Sequence, residues 1–162
     1  MKEESFQVKY EVYSFNELPD AIQHLVSNAK EASNKAYAPY SQFYVGAAVK
    51  LQSGATYSGN NQENAAFPSG LCAERVLLNY VHANFPEDKP IALAIAAKKN
   101  TEFTKEPVTP CGSCLQVMAE FEAEWNKELD VYLYGENKVF HVKGVKHFLP
   151  FLFKSDFLVS KA

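Results

Sequence analysis

An α/β fold, with a mixed sheet between layers of helix, is predicted by three features of the sequence. Segments with helical apolar spacing alternate with runs of strand length. One run, "PIALAIAAK" at 90–98, is apolar through Ala97, as a strand buried on both faces must be. Only "EN" separates "DVYLYG" from "KVFHVK", which is too short for a parallel crossover, so those two strands pair antiparallel.

The elements follow in order. Residues 1–13, "MKEESFQVKYEVY", alternate weakly and read as an extended N-terminal arm. Leu18, Ile22, Leu25, Val26, Ala29 and Ala32 then fall on one helical face. Pro19 suits the first turn of that helix. "YAPYS" ends it, because Pro39 disfavours helix at Ala38. "FYVGAAVKL", Phe43–Leu51, reads as a strand despite Gly46, and "QSGA" turns it into a second strand, "TYSGN". A helix is expected from about Cys72 to about Phe85, capped from the Ser69-Gly70 region, with Val76, Leu77, Val81 and Phe85 buried. After the apolar strand, "KNTEFTKEPVT" is a polar loop, and a helix runs from about Cys111 to Trp125. The antiparallel pair follows. A short apolar helix from Val145 to Phe153, broken by Pro150, closes the chain. The resulting order, α-β-β-α-β-α-β-β-α, puts a five-stranded mixed sheet in a three-layer α/β/α arrangement, a single domain spanning 1–162.

Composition narrows the function. The chain has 162 residues, 47% hydrophobic and 22% charged, which is ordinary for a globular protein. Net charge is −3 and no Lys/Arg run forms a basic stripe, so no nucleic-acid partner is indicated. The start "MKEESFQVKY" carries charges where a signal peptide needs an apolar stretch. The longest apolar run, Ile91–Ala97, is far short of a membrane span. A cytoplasmic protein with no membrane partner is expected. Three cysteines cannot all pair within one chain. In a reducing compartment they bind metal, do chemistry or pack as small apolar groups.

The cysteines sit in two fragments, "NAAFPSGLCAER" (Asn64–Arg75) and "PCGSC" (Pro110–Cys114), each at a predicted helix N-terminus. Free N–H groups and the positive end of the helix dipole stabilise thiolate there. Cys111 and Cys114 share one face of a first turn. With Cys72 they make three ligands and leave a fourth position for water, the catalytic zinc pattern. Glu74 lies two residues beyond Cys72, beside such a metal without ligating it. A carboxylate there can take a proton from water and deliver it to a substrate. Arg75 would offset the excess negative charge of three thiolates from outside the ligand set. Other readings stay open at this point. C-x-x-C alone also fits a redox pair or half of a structural zinc site, with His82 sought as a fourth ligand though almost three turns away. Glu74 alone also fits a solvated helix residue.

The fragments "YSQFYVGAAV", "GNNQENAAFPSGLCAER" and "PCGSCLQVMAEF" together closely resemble the small homotetrameric class of cytidine deaminases. The first helix, ending "KAYAPYS", and the tail "FLPFLF" are also similar to that family, as is its five-stranded sheet. The resemblance implies one Zn²⁺ per chain on Cys72, Cys111 and Cys114, with Glu74 as proton shuttle. The reaction it implies is hydrolytic deamination at C4 of cytidine and 2′-deoxycytidine, in pyrimidine salvage. It further implies that Asn61 and Glu63 bind the ribose, that Phe43 packs on the base, and that the backbone around Ala73 holds the pyrimidine carbonyl. Ala65, Phe67 and Phe153 match positions that reach a neighbouring subunit in a homotetramer. This sequence departs from the family at Tyr44 (commonly Pro), Phe67 (commonly Tyr) and Leu115 (commonly Arg). Two rival readings are a deaminase of nucleoside analogues, similar to blasticidin-S deaminase, and a catalytically silent zinc-stabilised scaffold.

Overall fold

The computed structural model describes residues 1–154 and 158. Among the described residues there are seven strands: β1 (Glu11–Tyr13), β2 (Phe43–Leu51), β3 (Thr56–Asn60), β4 (Pro90–Lys99), β5 (Glu102–Phe103), β6 (Asp130–Tyr134) and β7 (Val139–Lys143). The α-helices are α1 (Asp20–Ser33), α2 (Ala73–Asn84) and α3 (Gly112–Trp125). The strands form one sheet in the order β1-β7-β6-β4-β2-β3, with β5 attached to β4. β4 and β6 are parallel and the other pairs antiparallel, so the sheet is mixed. The last hairpin pairs from Asp130↔Lys143 to Tyr134↔Val139, in the antiparallel sense that its two-residue linker demanded.

Side-chain alternation along the central strands divides the core in two. Ala47, Val49, Leu93, Ile95, Val131 and Leu133 face α2 and α3, where Leu77, Leu78, Val81 and Met118 meet them. Ala48, Ala92, Ala94 and Ala96 face α1, where Leu25, Val26 and Ala29 meet them. The sheet thus lies between two helical layers. Gly46, the irregular residue inside β2, has its reason here. A Cβ at that position would stand 2.0 Å from the Ala29 carbonyl oxygen and 2.5 Å from the Ser33 nitrogen. Only glycine lets α1 lie this close to the sheet.

Three expectations change. The five expected strands are joined by two short ones. β5 forms because the chain reverses at Asn100, whose φ of 57° is the left-handed turn conformation asparagine tolerates, and pairs Lys98↔Phe103 and Lys99↔Glu102. β1 is the end of the N-terminal arm, paired to β7 through Val12↔Phe140. There His141 bonds Glu11 at 2.7 Å through Nδ1 and Asp130 at 2.8 Å through Nε2, and stacks on Tyr132 at 4.4 Å. The terminal helix shrinks to one 3₁₀ turn, Val145–His147. Pro150 lacks an N–H and pushes Leu149 out of the helical region, so nothing propagates beyond that turn. Finally, α2 is capped by Cys72 itself, while Ser69 closes a separate 3₁₀ turn, Phe67–Ser69.

Candidate metal centre and substrate cavity

Cys72 and Cys111 are the N-cap residues of α2 and α3. Both have extended backbone, φ −71° and −72°, and both carbonyls accept the first helical bond, from Val76 and Leu115 at 3.0 Å. Neither side chain caps its own helix, so the sulfurs remain available while the free N–H groups of two helix ends surround them. Cys114, in the first turn of α3, is buried beneath them.

The three sulfurs converge. Cys72 Sγ lies 3.8 Å from Cys111 Sγ, Cys111 Sγ lies 3.5 Å from Cys114 Sγ, and all three fall within 4.8 Å of one another. These are unbonded thiols, not a disulfide. Tetrahedral zinc with Zn–S bonds of about 2.3 Å holds its thiolates about 3.8 Å apart. The cluster therefore fits one Zn²⁺ per chain. Its acidity fits too. The Cys114 thiol and the Arg75 guanidinium, against the cost of burial, hold Cys72 down to about 5, which favours thiolate. Cys114, beside Cys72 and buried, is pushed up.

Arg75 lies beside this cluster. Its Nη2 donates to the Gly70 carbonyl at 3.4 Å and points at Cys72 Sγ at 3.8 Å. Glu74 is 4% exposed and, with Ser33, is one of two buried polar side chains among the described residues. Burial pushes its carboxyl up from the ordinary carboxylate range, and the negative Cys72 pushes the same way. The carboxyl interacts with both Cys72 and Cys114 and shares the cavity wall with Cys72, which sets it beside the cluster. His82 is elsewhere: it pairs with Glu124 at 3.1 Å and packs its ring on Phe121. Among the described residues the cluster is three cysteines, with no fourth protein ligand.

Over the cluster opens a cavity of ≈ 710 Å³ whose wall includes Cys72, Cys111, Glu74 and Arg75. Phe43, Asn61, Glu63 and Phe67 line the same space. Thus four segments that are remote in sequence meet. Asn61 is anchored as a strand extension: its Nδ2 donates to the Phe43 carbonyl at 3.0 Å and its Oδ1 accepts from Val45 N at 2.7 Å. Glu63 Oε2 accepts from Tyr40 N at 2.8 Å and Ser41 N at 3.3 Å. Ala73, the first residue of α2, is fully buried, and its N–H is one that a helix leaves without an internal partner.

Three of the expected residues stand apart from the rest. Phe67 is 74% exposed at the cavity rim, edge-on to Tyr40 at 5.8 Å. Ala65 is exposed and outside the wall. Phe153 lies in a second hollow with Leu152 and α3 residues such as Ala119, its carbonyl accepting from Gln116 at 2.9 Å. Sequence reasoning missed Ser41, Ile95, Val108 and Thr109 in the wall. Val108 and Thr109 directly precede "PCGSC", so adjacency could have flagged them; nothing local marks Ile95.

A family model described as the cytidine and deoxycytidylate deaminase zinc-binding region matches residues 2–109. The chain belongs to this deaminase family. The matched span holds Cys72 and Glu74 and ends two residues before Cys111. A cytidine deaminase of Sporosarcina psychrophila is 37% identical over 136 residues, 83% of this chain and 93% of that one. One of Halalkalibacterium halodurans is 43% identical over 98 residues, 60% of this chain and 70% of that one. Among solved structures, a cytidine deaminase from Burkholderia pseudomallei superposes with a TM-score of 0.68 at 35% identity, covering 80% of this chain and 97% of that one. Family membership and architecture agree with the mixed sheet and the three helices above.

Proposed function

We infer that this protein is a zinc-dependent hydrolase that converts cytidine and 2′-deoxycytidine, with water, to uridine and 2′-deoxyuridine, releasing ammonia. The observation that carries the reading is the buried Glu74 carboxyl beside three sulfurs at zinc-ligand spacing, at the wall of a cavity with ample room for a nucleoside. Cys72, Cys111 and Cys114 are the ligands. Zinc, when bound, supplies the Lewis acidity that makes water a nucleophile at neutral pH. Glu74 is the proton carrier: it takes one proton from that water and gives it to N3 of the ring, then takes the second from the hydroxyl newly added at C4 and gives it to the departing amine. A carboxyl raised by burial suits this cycle, because it exchanges its proton closer to neutrality than an exposed one does. Arg75 balances the surplus negative charge of the thiolates.

Phe43 packs on the base, the N–H groups at Ala73 hold the pyrimidine carbonyl, and Asn61 and Glu63 take the sugar hydroxyls. Arg75, already turned to Gly70 and Cys72, is the only Lys or Arg among the described lining residues. A phosphate therefore lacks a partner, and free nucleosides fit better than nucleotides. Both rivals are disfavoured: a scaffold has no use for a buried Glu74 at the wall of an open cavity, and the family relatives are named cytidine deaminases rather than analogue deaminases.

We read the chain as one domain, both cores lying on one continuous sheet. We read it also as a homotetramer, in which exposed Ala65 and Phe67 meet a neighbour and Phe153, away from its own chain's cavity, covers a neighbour's site. Its place is pyrimidine salvage in the cytoplasm, where unpaired thiols stay reduced. The test is ammonia release from cytidine, 2′-deoxycytidine, cytosine and CMP by zinc-loaded protein. Both nucleosides are expected to turn over, with cytosine slower by at least about 10²-fold because Asn61 and Glu63 lose their sugar partner, and CMP slower because its phosphate lacks one. No ammonia from either nucleoside would end the reading.

A further inference from the structure

The start of β2 is paired on one side only. Against β4 the ladder runs from Phe43↔Lys99 onward, but against β3 it begins at Gly46↔Asn60. Phe43, Tyr44 and Val45 precede that point, and the first and last of them line the cavity. The chain reaches them through Gln42, whose φ of 54° places a non-glycine residue in the left-handed region. Two wall residues therefore sit on a stretch of strand whose second edge β3 does not cover.

One more antiparallel step would set Val45 opposite Asn61, with two backbone bonds exchanged between them. Only half of that exchange is made. Asn61 N donates to the Val45 carbonyl at 3.1 Å, but the Asn61 carbonyl turns away and accepts from Tyr37 N at 3.0 Å. Glu63 N, which a longer ladder would bring to the Phe43 carbonyl, donates instead to the Tyr37 carbonyl at 2.8 Å. The Asn61 side chain fills both places. Its Oδ1 accepts from Val45 N at 2.7 Å and its Nδ2 donates to the Phe43 carbonyl at 3.0 Å. A carboxamide offers the same acceptor and donor as a peptide group, so it continues the ladder after the backbone of β3 has left it. It has two N–H donors and two lone pairs, so one of each stays free for a ligand.

We propose that Asn61 is a positioning residue for the base as well as a sugar contact: standing in for a peptide group of β3, it fixes the backbone of Phe43 and with it the ring that packs on the pyrimidine. The proposal rests on the reading of Phe43 as the base contact given above. The alternative, that Asn61 acts on the sugar alone, predicts no effect on a ligand without sugar hydroxyls.

The experiment measures the inhibition constant of 2′,3′-dideoxycytidine, which lacks the 2′ and 3′ hydroxyls, against cytidine deamination. It uses zinc-loaded wild type, Asn61→Ala, Asn61→Asp, Phe43→Ala and the double alanine variant, with zinc per chain measured for each. Phe43→Ala is expected to raise the constant about tenfold, through loss of the ring contact. Asn61→Ala is expected to raise it about fivefold, although the ligand has no hydroxyl for Asn61 to read. In the Phe43→Ala background, Asn61→Ala is expected to change it by less than about twofold, because the ring it positions is gone. Asn61→Asp keeps the size and the acceptor for Val45 N but sets a carboxylate oxygen against the Phe43 carbonyl, so its rise is expected to be at least as large as that of Asn61→Ala. An unchanged constant in Asn61→Ala or Asn61→Asp, or an equal rise in both backgrounds, overturns the proposal and leaves Phe43 on the base. No rise in Phe43→Ala overturns the base reading and this proposal with it. Should Asn61→Ala not yield folded protein, Asn61→Asp is read in its place, alone and with Phe43→Ala.

Discussion

The two faces of the sheet are packed by different rules. Against α1 the sheet presents Ala48, Ala92, Ala94 and Ala96, and Gly46 lets the helix backbone come down onto the strand. Against α2 and α3 it presents Val49, Leu93, Ile95, Val131 and Leu133, and these helices bring Leu77, Leu78 and Met118. The first face is a close backbone contact with little side-chain volume between. The second interposes larger side chains, and at its edge the two helix N-termini carry the three sulfurs and Glu74. The comparison teaches where chemistry can be placed. A tight small-residue contact leaves no room for a ligand, whereas the helices packed through larger side chains bring their N-terminal ends to an open cavity.

The comparison breaks most sharply at Glu74. Glu74→Gln keeps the size and removes the proton carrier, so zinc per chain is expected to stay at one while cytidine deamination falls about 10²–10⁴-fold. Metal analysis beside ammonia release checks it, and near-normal turnover would remove Glu74 from its role. On the opposite face, Gly46→Ala is expected to cost at least about 2 kcal/mol in urea unfolding, because its Cβ meets backbone that can move only with the whole helix. Turnover per folded, zinc-loaded chain should stay within about twofold, since α1 contributes nothing to the cavity wall. A large loss of specific activity with normal stability would mean the two faces are not separable. The smallest effect is expected at the sheet's far edge. His141→Ala removes the bonds to Glu11 and Asp130, and calorimetry is expected to show a melting temperature lower by only about 2–4 °C with unchanged deamination. Loss of activity there would tie the N-terminal arm to the site.

Much of this was readable from residue order. The strand at Phe43–Leu51 and the helix ending at Trp125 match the structure at those bounds, since each carries a long periodic pattern closed by turn residues. The elements not read correctly are short. β5 is two residues long and β1 three, below the length at which alternation has meaning. Val145–Phe153 has helical apolar spacing, but Pro150 ends a helix rather than breaking it within. In the site, the cysteines and Glu74 were legible because zinc ligation demands thiols at fixed spacing next to helix starts. Ser41 was not, since a serine after a proline-containing turn is unremarkable until Glu63 is seen against it.

By itself the sequence determined the α/β class, the strand partners joined by short turns, and three cysteines at helix starts with a glutamate two residues beyond one of them. These depend on local periodicity, loop length and the coordination chemistry of sulfur, all of which act over a few residues. Only the tertiary structure decided that Cys72 and Cys111 come to 3.8 Å, that Glu74 is buried beside them, and that the N–H groups of Tyr40 and Ser41 meet on Glu63. Those facts require helices and loops distant along the chain to be set against one another, and their placement follows from how the two faces of the sheet pack, which no single segment encodes.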